Sequence, residues 1–258
     1  MKILVSITSY HKDKEKYLSE ILKCYENISN NLNYTIDIVL SINYDHAYVT
    51  TNKLIINKSE YEGESHCWAN RKYIYENYSS YDYVIESDDD ILITQENILQ
   101  YIKYQHIDDN FIPGFVVTED DNEKNTYIHS MLFNEPVHIL NKFVLENKTW
   151  YVPRNIHSAC FIIDRNRLKN FFNNNPNALF VKSVGVYDVQ CTARSEIYTF
   201  YTKIINLDDI YLHLVKHLPN KYLYANIFPV DQYRTVDFWK EYISNIYRPI
   251  KENDLVLQ

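Results

Sequence analysis

Apolar residues follow two rhythms along this chain. Ile3-Leu4-Val5-Ser6-Ile7 is a nearly unbroken apolar run, the pattern of a strand buried on both faces. Tyr17, Leu18, Ile21, Leu22, Tyr25 and Ile28 then recur at helical spacing and predict an amphipathic helix. Residues 36–42 predict a second strand, 53–56 a short third, 64–79 a helix, 83–85 a further strand and 95–105 another helix. Strands alternating with helices predict an α/β fold, a mostly parallel central sheet with helices on both faces.

The second half is looser. Residues 115–117 and 159–163 read as strands, and 167–172 starts a helix that stops in the turn-rich run NNNPN. Residues 187–201 read as helical, 203–214 as extended, and 236–247 as an aromatic-rich helix. No internal repeat and no linker breaks the chain. The expected organisation is one domain over residues 1–218, with a C-terminal extension, 219–258, packing on it.

Composition narrows the chemistry. At 258 residues the chain is long enough for a sizeable core. Its formal charge is 26 − 34 = −8, which disfavours a broad grip on nucleic acid and suits a cation or a cation-bridged substrate. The four cysteines, Cys24, Cys67, Cys160 and Cys191, are widely spaced, so neither a zinc cluster nor a disulfide framework is expected. The opening MKILVSITSY reads as a strand rather than a leader, and no apolar stretch has the ~18 residues of a membrane span. A cytoplasmic protein is expected, reaching a membrane only at its periphery. There are three glycines, Gly63, Gly114 and Gly185, too few and too scattered for a phosphate-cradling loop or a nucleophile elbow. A phosphorylated ligand would then be held through a metal bridge.

That expectation leads to YDYVIESDDDILI, residues 81–93, where a strand runs into Asp88, Asp89 and Asp90. In open α/β sheets ligands bind beyond the carboxyl ends of strands. Hard oxygen donors there suit Mn²⁺ or Mg²⁺, which keep positions open for phosphate oxygens. The alternative is a solvated acidic turn ahead of a helix.

The segment DYVIESDDDIL resembles the DxD segment of GT-A-fold glycosyltransferases, especially the family-2-like inverting enzymes. ILVSITSYHKDKEKYLSEIL resembles their first strand and nucleotide-binding turn, and WANRKYIYENYSSYDYVIESDDD the helix leading to the DxD strand. HSACFIIDRNRLKNFF resembles the strand and helix beneath the acceptor, VGVYDVQCTARSEIY the element with the catalytic base, and LDDIYLHL the strand carrying a late histidine. The matches keep family order over residues 1–215. The departures are His11 for the usual Asn, no Asp-Asp-Gly-Ser pattern in VLSINYDHAY, Asn70-Arg71 for Arg-Asn, and Tyr187-Asp188 for Glu-Asp.

The resemblance implies a hexosyl- or pentosyltransferase using a nucleotide-sugar donor, UDP-sugar ahead of GDP-sugar, and a carbohydrate-containing acceptor. It implies Asp90 as chief metal ligand and Asp88 on the metal or the ribose, with Mn²⁺ or Mg²⁺ as cofactor. Asp188 would be the general base. His213 would be the late metal or phosphate ligand, with His217 in reserve. Thr8, Tyr10, Asn43, Asp45 and Arg71 would surround the nucleotide. Trp150 and Tyr151 are expected in the core, an acceptor platform being the alternative reading. A sugar-phosphate nucleotidyltransferase and a non-catalytic carbohydrate-binding or scaffold protein remain as alternatives.

Overall fold

The computed structural model describes the chain apart from residues 11, 46–47, 60, 121–125, 129–138, 154–155, 186, 220–233, 239 and 242–258. It divides into two compact units, each assembled from separate stretches: 1–95 with 159–200, and 96–158 with 201–258. Of the expected extension, only residues 219, 234–238, 240 and 241 are described; most of the helix expected over 236–247 lies outside the described residues.

The first unit is built on a five-stranded sheet. Strands are numbered in chain order: β1 (Lys2–Ser9), β2 (Thr35–Ile42), β3 (Lys53–Lys58), β4 (Tyr83–Asp88) and the two-residue β5 (Ile91–Leu92). The second unit supplies β6 (Phe111–Pro113), β7 (Val116–Asp120), β8 (Thr126–Ile128), β9 (Ile139–Leu145) and β10 (Lys148–Pro153), and the chain then returns to the first unit as β11 (Cys160–Asp164). The sheet order is β11-β4-β1-β2-β3. β1 runs parallel to β2 and β4, β2 parallel to β3, and β11 antiparallel to β4. The fold class is therefore α/β with a mostly parallel central sheet.

β1 sits at the centre, and Ile3, Leu4, Val5 and Ile7 are fully buried, as the unbroken apolar run requires. Helix α1 (Glu15–Leu32) buries Leu18, Ile21, Leu22, Tyr25 and Ile28 and stops at Asn33, which takes the left-handed conformation at φ 52°. The helix expected over 64–79 is broken. Residues 63–68 form a 3-10 turn, α2 covers Arg71–Asn77, and a second 3-10 turn covers 78–80. Asn70, at the break, is buried and faces inward. Its Nδ2 donates to Ile7 O at 2.9 Å and Val39 O at 3.3 Å, joining β1 to β2.

Helix α3 (Gln95–Tyr104) opens the second unit, with Gln95 still counted in the first. Helix α4 (Arg165–Asn174) is capped by Asp164, whose Oδ1 accepts from Asn166 N and Arg167 N, both at 3.0 Å. Helix α5 (Val189–Ser195) continues into a 3-10 turn, 196–199, in place of one helix over 187–201.

In the second unit β6 pairs with β12 (Thr202–Asn206), β12 with β10, and β10 with β9. A separate sheet there orders β14 (Arg234–Thr235), β8, β7 and β13 (Leu214–His217). The extended run expected over 203–214 is interrupted. Asn206 Oδ1 accepts from Asp208 N at 3.0 Å and Asp209 N at 3.3 Å, turning the chain before a 3-10 turn at 210–213. Trp150 and Tyr151 are fully buried, and Trp150 packs edge-on against Tyr104 with ring centres 5.0 Å apart. The core reading holds for them, and neither face is open to a sugar.

Candidate functional site

Register places the carboxyl ends of β1 and β4 together, with Thr8 opposite Asp88. β4 ends at Asp88, and Asp89 and Asp90 form the turn to β5. The three carboxylates have different partners. Asp88 Oδ1 accepts from Arg194 Nε at 3.1 Å. Asp89 is buried and accepts from Ser9 Oγ at 2.5 Å. Asp90 is paired with Lys14 Nζ at 2.7 Å.

Burial pushes the Asp88 carboxyl up to about 6; Arg194 opposes the shift, while Asp90 and Glu86 add to it. Burial also pushes Asp89 up to about 7, reinforced by Asp90 and Asp88 and opposed by the Ser9 hydrogen bond and Lys14. The three carboxylates of the turn are paired with two cations, Arg194 and Lys14.

A chain of hydroxyls continues outward from Asp89. Tyr44 Oη lies 2.8 Å from Ser9 Oγ, and Tyr48 Oη lies 2.8 Å from Tyr44 Oη. Ser9 has one O–H, given to Asp89, so Tyr44 donates to Ser9 and Tyr48 donates to Tyr44. This chain ties the segment after β2 to the acidic turn. Asn43 and Asp45, expected near the base, flank Tyr44 on that segment and are exposed. Tyr10 packs against His66, with ring centres 5.5 Å apart.

Beneath the turn lies a fully buried arginine that pattern reading missed. Arg194 Nη1 donates to Glu86 and to Cys67 O at 3.0 Å, and Nη2 to Thr8 Oγ1 at 2.5 Å and Ser87 O at 3.3 Å. Its signal stands in YVIESD: a glutamate in the middle of a buried strand needs a buried cation. Thr8 is thus engaged from below by Arg194.

Arg194 stands in the last turn of α5, the helix that Asp188 caps. Asp188 Oδ1 accepts from Cys191 N at 2.6 Å and so caps the helix. Its side chain is exposed, as a group that takes a proton from a bound substrate must be. Both ends of α5 are tied to the 63–68 turn, through Trp68 Nε1 on Val189 O at 3.1 Å and Arg194 Nη1 on Cys67 O. Burial pushes the Cys67 and Cys191 thiols up to about 12; Asp88 adds to the shift at Cys67, and Asp188 then Asp88 at Cys191.

No family model matches the sequence, and no curated protein matches it. Among solved structures, S. aureus TarS 1–349 aligns over 84% of this chain and 58% of its own, at 13% identity and a TM-score of 0.41. Mannose-1-phosphate geranyltransferase from Thermus thermophilus aligns over 84% of this chain and 73% of its own, at 9% identity and a TM-score of 0.39. The chain thus spans 58% of the length of the TarS structure. The α/β assignment rests on the strand order and registers above.

Two expected site residues have other work. Arg71 is buried, with Nη1 on Glu196 at 3.3 Å, Nη2 on Ala193 O at 2.6 Å and Nε 3.8 Å from Glu86. Its guanidinium is committed to the core and is not a phosphate ligand. His213 is buried in the second unit. Its Nδ1 lies 2.8 Å from Gly114 O and its Nε2 3.2 Å from Asn206 N. The neutral ring donates from Nδ1 and accepts at Nε2, leaving no lone pair for a metal. Burial lowers its pKa to about 4, with the Gly114 hydrogen bond opposing. His217, the reserve, places Nδ1 2.6 Å from Glu119 Oε1, also in the second unit.

Proposed function

We propose that this chain is a metal-dependent inverting glycosyltransferase of the GT-A type. It moves a sugar from a nucleoside-diphosphate sugar, UDP ahead of GDP, to a hydroxyl of a carbohydrate-containing acceptor. The observation that carries the reading is the joint placement of two acids in the first unit. Asp88 stands at the carboxyl end of a parallel strand, and Asp188 caps the helix whose arginine grips Asp88.

The donor set fits a divalent cation. Among the described residues no three His, Cys, Asp or Glu side chains form a preformed metal cluster. Mg²⁺-type sites do not need one, since one or two carboxylates plus substrate phosphates suffice. The cations already seated there, the Lys14 ammonium on Asp90 and the Arg194 guanidinium on Asp88, mark a place that favours positive charge. Asp88 and Asp90 would hold the ion. When bound, it supplies Lewis-acid stabilisation of charge on the departing diphosphate.

Asp188 takes the proton of the acceptor hydroxyl as that oxygen attacks the anomeric carbon. One displacement forms the new C–O bond, breaks the bond to the diphosphate and inverts the carbon. Thr8 borders the donor from β1, Tyr10 from the residue just after it, and Asn43 and Asp45 from the segment after β2.

A panel of UDP, GDP, CDP and dTDP, each with and without Mn²⁺, tests this by thermal shift. Ligand at 100 times its Kd stabilises by about 2.7 kcal/mol, enough to detect. The expected result is one nucleotide that stabilises only with Mn²⁺, lost in Asp90→Ala. Asp188→Asn is expected to keep that binding and lose transfer. Stabilisation by no nucleotide in folded protein would overturn the reading.

The Lys14–Asp90 pair favours one variant of it. Burial works against the Lys14 charge, but Asp90, with Asp89 and Asp13, outweighs burial and holds its pKa above the ordinary lysine value. In that variant Lys14 supplies the positive charge at the diphosphate, and nucleotide stabilises equally without Mn²⁺.

A further inference from the structure

We propose that Arg194 is a positioning residue for Asp88, fixing the carboxylate that receives the cation. The inference rests on the metal-dependent reading above.

A guanidinium carries five N–H donors in a planar fork. Arg194 uses all five: Nε on Asp88 Oδ1, Nη1 on Glu86 and Cys67 O, and Nη2 on Thr8 Oγ1 and Ser87 O. Charge neutralisation of the buried Glu86 accounts for one of these bonds. The other four hold the rim of the acidic turn: a side chain at the end of β1, the last two residues of β4, and the carbonyl at the end of the 63–68 turn. Asp88 is the one partly exposed carboxylate in the set, and Arg194 takes a single oxygen of it. The helix under Arg194 cannot drift, because Trp68 and Arg71 hold its Val189 and Ala193 carbonyls. The fork is therefore fixed on its own side and aimed at the turn. A lysine at the same place would keep the charge but present three donors from one point.

The test uses the full chain and Mn²⁺ alone, read by the loss of the free-ion electron paramagnetic resonance signal on titration. Arg194→Lys is expected to keep the wild-type circular dichroism spectrum and to weaken Mn²⁺ by about 10–100-fold, the usual effect of losing a group that orients a metal ligand. Asp164→Ala, which loses the cap of α4 and its ion pair with Arg167, controls for stability. It lowers Tm and keeps the wild-type Mn²⁺ affinity. A general stability effect would instead move both variants together, and that result overturns the proposal. So does a folded Arg194→Lys that binds Mn²⁺ within about twofold of wild type, far below the effect of losing an orienting group. If Arg194→Lys does not fold, Arg194→Gln with Glu86→Gln removes both buried charges at once and is read in the same way. If wild type binds no Mn²⁺ either alone or with UDP or GDP present, the metal-dependent reading fails and this proposal fails with it. Binding by wild type with no loss in the variants overturns this proposal alone.

Discussion

At the residue scale, Asp89 works against the fold. Its carboxyl is buried and held near 7, mainly by burial and then by the charge of Asp90. An unfolded aspartate titrates near ~3.9. Between these values the folded state holds the extra proton, so stability falls as pH rises through the window, and the loss is complete above about 7. Asp88 acts in the same direction up to about 6. His213 acts oppositely: its pKa is lowered to about 4, so its contribution grows as pH rises towards the ordinary histidine value. Asp89→Asn is expected to raise Tm at pH 8 and to flatten the fall between pH 5 and 8, measured by thermal melts. An unchanged slope would show that the fall comes from other groups. In the metal-dependent reading the same protonation competes with the cation, so Mn²⁺-dependent nucleotide stabilisation is expected to fade as pH drops from 7 to 5. The positions of Asp88 at a strand end and Asp188 at a helix start were legible, because acids at element ends stand out in sequence. Arg194 was not, because an arginine in a short helix reads as a surface residue until Glu86 is known to be its partner, 108 positions earlier.

At the scale of elements, periodicity found the buried faces of β1, β2, β4 and α1, missed the β9–β10 pair, and misplaced breaks set by single side chains. Asn70 interrupts the 64–79 helix by bonding to strand carbonyls, and Asn206 ends β12 by bonding to the two amides ahead of it. Neither partner set is visible in a hydrophobic pattern. The value of a cap can be measured. Asp164→Ala removes two bonds to the first turn of α4 and the ion pair with Arg167 at 2.7 Å. A loss of about 1–2 kcal/mol is expected by urea denaturation, the usual range for such a cap. Tyr44→Phe breaks the hydroxyl chain while keeping the ring. It is expected to weaken nucleotide binding through the segment bearing Asn43 and Asp45 while leaving Mn²⁺ affinity at the wild-type level. Equal loss of both would show that the chain serves the turn itself.

At the scale of the molecule, the sequence reading placed one domain over 1–218, whereas contacts group the chain into two units, each from two stretches. The crossings, near residues 95, 158 and 200, carry no glycine or proline cluster and no shift in composition. Hydrogen exchange is expected to be slowest in β1 and β4, at the middle of the first sheet, and faster in β3 at its edge. Mn²⁺ with the cognate nucleotide is expected to slow exchange at the β4–β5 turn and the start of α5. The divided first unit also sets a timetable for biosynthesis. β4 is made long before β11 can pair with it or Arg194 can meet Glu86. At ~5–20 residues per second, the 108 residues separating Glu86 from Arg194 amount to on the order of 5–20 seconds on the ribosome. During that interval a nascent chain has a glutamate inside an apolar strand with only Arg71, 3.8 Å away in the folded chain, as a nearby cation and without the guanidinium that hydrogen-bonds it. A truncated chain ending before α5 should therefore stay open and protease-sensitive, and the first unit should close as one late event, after residue 200 has emerged.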